Sequence, residues 1–419
     1  MDSMDAKIVE LDGSLRDLNR ELDVTLRRYR ELTSSMIAAG KAYYLVCEAG
    51  YPNYGDELIA REWLKYLSSR HPDVPVYLDC ARPGPAAAIL RNVHPHMQVT
   101  DTISRLTTEN MYADVDDGSD RVARIGDFVH AALEDDGVAA RYAAGIDMLR
   151  AGVRSVHFLG GGYMNSSWQK NLARLELGRW CGEHGIPAMA TGAGLMPLNR
   201  EDLIFVGTML GSFRSFTVRD EDTYRALADD NNSVSLRPDD CFVNALHGCY
   251  AKERELPETM VCIQSDLVTD VAALNRHVLV TLRNWGLGPQ TTIGVAECSP
   301  YVDYPIVATL KSAGYHVAFF PLAFLLREGF PARPGQRWLT TRYHPHLLAA
   351  AKGCSGSFIS VNEDYYEVKH RAALRMGSRW TNSVIGAPAV VPGPGFADVQ
   401  APEHYSQQIH QAANCMYGN

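Results

Sequence analysis

No stretch of this 419-residue chain is apolar for long enough to cross a bilayer. The longest nearly apolar run, Val317 to Leu326, is broken by Pro321 and falls well short of the roughly 20 residues a spanning helix needs. There is no basic tract either: 40 Lys and Arg against 49 Asp and Glu leave a net charge of −9. Nothing here could follow a phosphate backbone or an anionic bilayer, so nucleic acid is excluded as a partner. The nine cysteines (47, 80, 181, 241, 249, 262, 298, 354 and 415) are scattered singly, with no Cys-x-x-Cys and no paired histidines at zinc spacing. That pattern fits a reducing cytoplasm and proposes no metal. A full G-x-G-x-x-G fingerprint is also missing, so no tightly held dinucleotide is supported and no cofactor is expected. The opening Met-Asp-Ser-Met-Asp lacks the character of a secretion signal. The expected location is cytoplasmic, with room for peripheral attachment to the inner face of a membrane.

What the chain has is length and a 46% hydrophobic composition, enough for two or three cores. Residues 1–40 place Ile8, Leu11, Leu15, Leu18, Leu22, Tyr29, Leu32 and Met36 on a heptad seam interrupted by Thr25. The seam predicts one helix that either self-associates into a homo-oligomer or folds back as a domain cover.

Residues 41–240 alternate strands with helices. Ala42–Cys47 leads into Gly50-Tyr-Pro-Asn53-Tyr-Gly55-Asp56-Glu57 and an amphipathic helix, the opening of a doubly wound α/β unit. Asp56 there is either a helix-capping carboxylate or a site residue. Val76–Cys80 is a second strand, and residues 84–150 read as helical around an acidic, solvated loop at 114–120. Ser155–Leu159 runs into Gly160-Gly161-Gly162, Ile186–Ala190 into Thr191-Gly192-Ala193-Gly194, and Phe213–Val218 into Arg219-Asp220. Glycines at strand ends allow close backbone approach to something bound along one sheet edge.

Residues 241–390 repeat the alternation, with strands expected at 260–264, 292–296, 316–320, 338–341 and 357–361, and the tail 391–419 is expected to return toward the first domain. The span Trp338–Lys369 concentrates Arg342, His344, His346, Lys352 and Lys369 in an otherwise acidic protein, and the first three leave a strand end. Cations at a strand's carboxyl end suggest an anion site, although a solvated basic turn would look much the same.

Together, Gly50-x-x-Asn53-x-Gly55-Asp56, Gly160-Gly161-Gly162, Thr191-Gly192-Ala193-Gly194-x-x-Pro197, Val218-Arg219-Asp220, Asp240-Cys-Phe242, Arg342-Tyr-His344 and Lys369 resemble the polysaccharide pyruvyl transferase family. No single motif is specific; their order over residues 41–390 is. The resemblance implies an α/β, GT-B-like fold, two Rossmann-like parallel-sheet domains facing a cleft. It also implies transfer of pyruvate from phosphoenolpyruvate to a glycan or lipid-linked sugar as a ketal, work that fits a bacterial cell envelope. The donor-binding Arg, His and Lys of the family correspond to Arg219, His344 and Lys369. Around them stand Arg342, shared between structural pairing and ligand contact, and Asn53, Gly161, Gly162, Gly192 and Gly194. His344 is the candidate general acid or a phosphate ligand, with His346 its rival, and Asp56 is the candidate base. The extra amino-terminal helix, the segment at about 104–150, and Ala193 with Met196 depart from the pattern and leave the acceptor side open. Two other readings share these features: a GT-B glycosyltransferase using a nucleotide sugar, and a non-catalytic carbohydrate-binding or assembly subunit.

Overall fold

A computed structural model describes residues 13, 16, 18–22, 24–25, 41–110, 120–228, 234–252, 256–361 and 367–418. The heptad expected over residues 1–40 lies almost wholly outside the described residues, as does most of the acidic loop at 114–120. The few positions described between Gly13 and Thr25 are helical and exposed.

The first sheet holds β1 (Ala42–Val46), β2 (Val76–Asp79), β3 (Met97–Thr100), β4 (Val153–Phe158), β5 (Ala188–Ala193), β6 (Ser215–Val218) and β7 (Val234–Leu236), in the order β3-β2-β1-β4-β5-β6-β7. The second holds β8 (Thr259–Cys262), β9 (Thr292–Ala296), β10 (His316–Phe320), β11 (Arg337–Thr340), β12 (Ser355–Phe358) and β13 (Thr381–Asn382), in the order β10-β9-β8-β11-β12-β13. Every neighbouring pair is parallel. Both sheets therefore reproduce the Rossmann order, whose reversal falls between β1 and β4 and again between β8 and β11, the points where such sheets bind ligands. All residues of β1, β2 and β5 are buried, as expected where helices cover both faces. Strand β3 falls inside the segment read as helical; four part-exposed edge residues are too few for period-two alternation to register.

Helix α1 (Tyr54–Arg70) follows β1. The Asn53 side chain caps it by accepting from the Gly55 N–H at 3.3 Å, while Asp56 and Glu57 in the first turn and Arg70 in the last complement its dipole. Its buried Leu58, Ile59, Trp63 and Leu67 belong to one apolar cluster that also contains Met260, Trp338 and Leu347 of the second domain. At its start, the Tyr54 N–H donates to the Cys298 carbonyl at 2.8 Å, and the Tyr54 ring stacks on Phe330, which stacks on Trp338. A shared core thus holds the two sheets with both switch points on one cleft. Helix α2 (Tyr343–Ala351) follows β11, and α3 (Val368–Arg375) lies between β12 and β13.

Helix α4 (Ala401–Tyr417) packs on the first sheet. Tyr417 Oη lies 2.9 Å from His157 Nδ1, His157 Nε2 lies 2.7 Å from Thr191 Oγ1, and the Thr191 hydroxyl donates to Asp240 at 2.6 Å. Burial pushes the His157 pKa down to about 3, so each ring nitrogen has one fixed role: Nε2–H donates to Thr191 and Nδ1 accepts from Tyr417. Asp240 also accepts from the Trp63 indole N–H at 2.8 Å and the Gly160 N–H at 2.9 Å. Any Cβ at Gly160 or Gly192 would come within 2.9 or 2.7 Å of that carboxylate, so both positions must stay bare.

Asp240→Ala strands the indole, the Gly160 amide and the Thr191 hydroxyl without an acceptor. At about 1–3 kcal/mol for each orphaned group, a loss of at least about 3 kcal/mol is expected, read as a fall in apparent unfolding temperature of at least roughly 3–4 °C for a chain of this length. An unchanged midpoint would show that the hub contributes nothing.

Candidate active site

A cleft of about 450 Å³ opens where the two switch points meet. The loop after β1 contributes Tyr51, Asn53, Gly55 and Asp56, and the segment after β4 contributes Gly162, Tyr163, Trp168 and Asn171. From the second domain come Asp266 and Leu267 after β8, Ser299 after β9, and Arg342, Tyr343 and His344 after β11. Arg219 at the end of β6 and Lys369 on α3 also line it, as do Glu48, Cys298 and Pro345.

Arg219 is 2% exposed, so its charge requires a partner, and the structure supplies one that neighbours in sequence did not suggest. Its Nη1 donates to Asp239 Oδ2 at 2.7 Å, and its guanidinium lies 4.7 Å over the Tyr343 ring. Asp220 instead caps the next helix through the Thr223 N–H, and Asp222 pairs with Arg371. The second Asp239 oxygen accepts from the Cys241 N–H at 2.9 Å and lies 3.6 Å from His344 Nε2, an ion-pair distance beyond hydrogen-bond range. Burial works to raise the Asp239 pKa. The charges of His344 and Arg219, with the hydrogen bond from the Cys241 N–H, outweigh it and hold the group far below the usual carboxylate range. Asp239 is therefore a permanent anion joining an arginine of one domain to a histidine of the other.

The glycines of the strand-end loops make room for these side chains. A Cβ on Gly55 would stand 1.9 Å from His344 Nδ1 and one on Gly194 would stand 2.8 Å from Arg219 Nε. One on Gly162 would stand 3.0 Å from both Arg219 Nη2 and Lys369 Nζ, which places those two cations side by side against the same glycine. Burial, then the charge of Arg219, pushes the Lys369 pKa well below that of an ordinary lysine. Asp56 sits across from them. Desolvation raises its pKa to about 6, opposed chiefly by the charge of His344.

The other expected residues are placed differently. Arg342 lines the cleft but is committed to buried Asp303, with Nε at 2.8 Å and Nη2 at 2.7 Å from Oδ1. Asp303 Oδ2 accepts from the Cys298 and Ser299 N–H groups at 2.9 and 2.8 Å. The ligand atoms of Cys262, Cys298 and Asp303 lie within 4.8 Å of one another, a grouping that no sequence spacing displays because the two cysteines end neighbouring strands. Its evident work is to mount Arg342. Gly161 and Gly192 are not lining residues. The Gly161 carbonyl accepts from the Gly194 N–H at 2.9 Å, and Gly192 faces Asp240. His346 is wholly buried away from the cleft, 3.0 Å from His370 and 2.7 Å from Ser378 Oγ, with its ring stacked on Phe358 and Trp380. Lys352 lies over the Tyr250 ring. Asp239 has no sequence signal beyond its place directly before Asp240, and Tyr51, Trp168 and Asn171 belong to no motif.

Asp239→Ala leaves Arg219 buried without its counter-charge, so stability should fall by about 3–5 kcal/mol in urea unfolding. Adding Arg219→Met should restore most of that loss. A single variant as stable as the parent would mean that solvent already neutralises Arg219.

A model of the polysaccharide pyruvyl transferase family matches residues 53–283, more than half of the chain. No curated protein matches. Among solved structures, UDP-GlcNAc 2-epimerase from Neisseria meningitidis, bound to UDP-GlcNAc, is 10% identical with a TM-score of 0.46, covering 88% of this chain and 91% of that one. UGT2 from Phytolacca americana, complexed with UDP-2-fluoro-glucose and pterostilbene, is 12% identical with a TM-score of 0.47, covering 90% and 94%. UDP-GlcNAc 2-epimerase from Methanocaldococcus jannaschii, in complex with UDP-GlcNAc and UDP, is 9% identical with a TM-score of 0.44, covering 88% and 99%. At such identities and scores none of them bears on what this chain binds. The family match covers the first domain from Asn53 onward and the start of the second, including Gly55, Asp56, Gly162, Arg219 and the Asp239-Asp240 pair, and the chain belongs to the polysaccharide pyruvyl transferase family.

Proposed function

We propose that this protein transfers pyruvate from phosphoenolpyruvate onto two hydroxyls of a sugar as a ketal, in the assembly of a cell-envelope polysaccharide or glycolipid. The observation that carries this reading is the convergence of Arg219, His344 and Lys369, from both domains, on one cleft. Phosphoenolpyruvate brings a phosphate and a carboxylate, close to three negative charges. A cation at 4 Å contributes up to about 4 kcal/mol at an effective dielectric near 20, before desolvation. Arg219 offers a planar fork to carboxylate or phosphate, and Lys369 a point charge.

In the proposed reaction His344 donates a proton to the enol methylene, which becomes the methyl group. A sugar hydroxyl, relieved of its proton by Asp56, attacks the cationic C2. The C2–O bond to phosphate then breaks, and a second hydroxyl closes the ketal. One hydroxyl proton is in effect spent on the methyl group and the other leaves with inorganic phosphate. Asp239 lies 3.6 Å from the imidazole Nε2 and fixes the position of the ring's far edge. Asp56 with a pKa of about 6 is a base above that pH and a spent one below it.

Phosphoenolpyruvate should raise the unfolding temperature of the purified protein, by the equivalent of about 2.7 kcal/mol at one hundred times Kd, and uridine or guanosine diphosphate sugars should not. Lys369→Ala should abolish the effect, and Arg219→Lys should remove most of it without changing the fold. Stabilisation by a nucleotide sugar alone would move the protein to the glycosyltransferase reading. The same titration should weaken as pH rises through the depressed pKa of Lys369, well before an ordinary lysine loses its charge. Phosphate release in the presence of acceptor should fall as pH drops through about 6, and Asp56→Asn should be slow throughout with that limb gone.

A further inference from the structure

The cations account for a donor and Asp56 for a base, which leaves the apolar lining of one wall of the cleft without a task. That wall carries Trp168 and Tyr51 from the first domain and Leu267 from the second, exposed at 40%, 53% and 53%. Large apolar side chains at the mouth of a charged cleft are a recognition surface more often than an accident. Trp168 stands apart from the other tryptophans: Trp63, Trp180, Trp285, Trp338 and Trp380 are each exposed by 9% or less.

The mount beneath Trp168 is rigid although its ring is not buried. Ser166 Oγ donates to Asp202 at 2.6 Å, the Gln169 amide donates to both oxygens of Asp202, and the Asn199 N–H donates to Ser166 Oγ at 2.8 Å. Asp202 itself is 1% exposed. Tyr51 is likewise held, with the Arg82 guanidinium 4.2 Å over its ring. Leu267, supplied by the second domain, keeps a backbone φ of +53°, an uncommon conformation for a branched side chain. Ordered aromatic rings with exposed surface, beside hydroxyl-binding groups such as Asn171 and Asp56, suit a ligand that is apolar on its face and polar at its edge. A pyranose ring has that character: its C–H bonds form a face and its hydroxyls an equator.

We propose that Trp168, with Tyr51 and Leu267 at the rim, is the acceptor platform, on which the pyranose of the acceptor stacks so that its hydroxyls reach Asp56. The inference rests on the pyruvyl transfer reading for its chemistry, but ring stacking can be tested without turnover. It also explains how a cleft built for a trianion selects a neutral second substrate: the donor is taken at the floor by charge, and the sugar at the mouth by shape and apolar contact.

Trp168 is the exposed tryptophan, so iodide quenching of the long-wavelength emission reports on it. Methyl β-D-galactopyranoside or methyl β-D-glucopyranoside should protect that emission saturably, while sorbitol, which has the hydroxyls but no ring face, should not. Saturation-transfer NMR with the same glycosides should show contact in the parent and in Trp168→Phe, and lose it in Trp168→Ala. The Trp168→Ala variant should still be stabilised by phosphoenolpyruvate, which shows that the fold and the donor floor survive. Protection by sorbitol equal to that by the glycosides, no protection by either glycoside, or undiminished NMR contact in Trp168→Ala would each overturn the proposal. Glycoside protection in a protein that phosphoenolpyruvate fails to stabilise would uphold the platform and remove the donor reading instead.

Discussion

Two adjacent carboxylates, Asp239 and Asp240, hold this structure in working order, and they do it in opposite directions. Asp240 turns into the first domain and gathers the indole of α1, the amide at the end of β4 and the hydroxyl at the end of β5 onto one oxygen. Asp239 turns toward the cleft and faces Arg219 and His344. Their protonation differs accordingly. Burial is the largest influence on both, but only Asp239 has cations near enough to overcome it, whereas Asp240 is left with a pKa raised to about 6. A chain can place two such groups side by side because successive residues of a tight turn project to different sides, here at the 3₁₀ turn Asp240–Phe242.

The charge balance of the cleft follows from that arrangement. Counting cations alone overstates its attraction for an anion, because Arg219 is already paired with Asp239 and Arg342 with Asp303. Those carboxylates make it affordable to keep guanidinium groups buried before a ligand arrives, and they fix the direction in which the remaining N–H groups point. Lys369 differs: its pKa is depressed by burial and by Arg219, so an arriving anion would favour its charged form. The floor is thus pre-organised at Arg219 and adjustable at Lys369.

Much of this was legible in the sequence, and the reason is chemical. Parallel strands buried on both faces read as short apolar runs, and glycines that must admit an imidazole, a guanidinium or a carboxylate cannot be replaced by residues with a Cβ; hence Gly55, Gly160, Gly162, Gly192 and Gly194 stood out. Arg219 and His344 were visible as cations at strand ends of an acidic chain, whereas Lys369, on a helix, was marked by the family resemblance. The rival His346 could not be separated from His344 by spacing. Two residues along a helix turn the side chain by about 200°, from the cleft into the core between Phe358 and Trp380.

The sequence by itself determined the alternation of strands and helices and the glycine-marked strand ends, because these depend on side-chain period and on the backbone conformations each residue permits. Only the tertiary structure decided which charges meet. Asp239 is 20 residues from Arg219, Asp303 is 39 from Arg342, and Trp168 reaches the same cleft as Leu267 from another domain. Such partnerships follow from how two sheets are set against one another by a shared apolar core, and no local pattern in the chain records them.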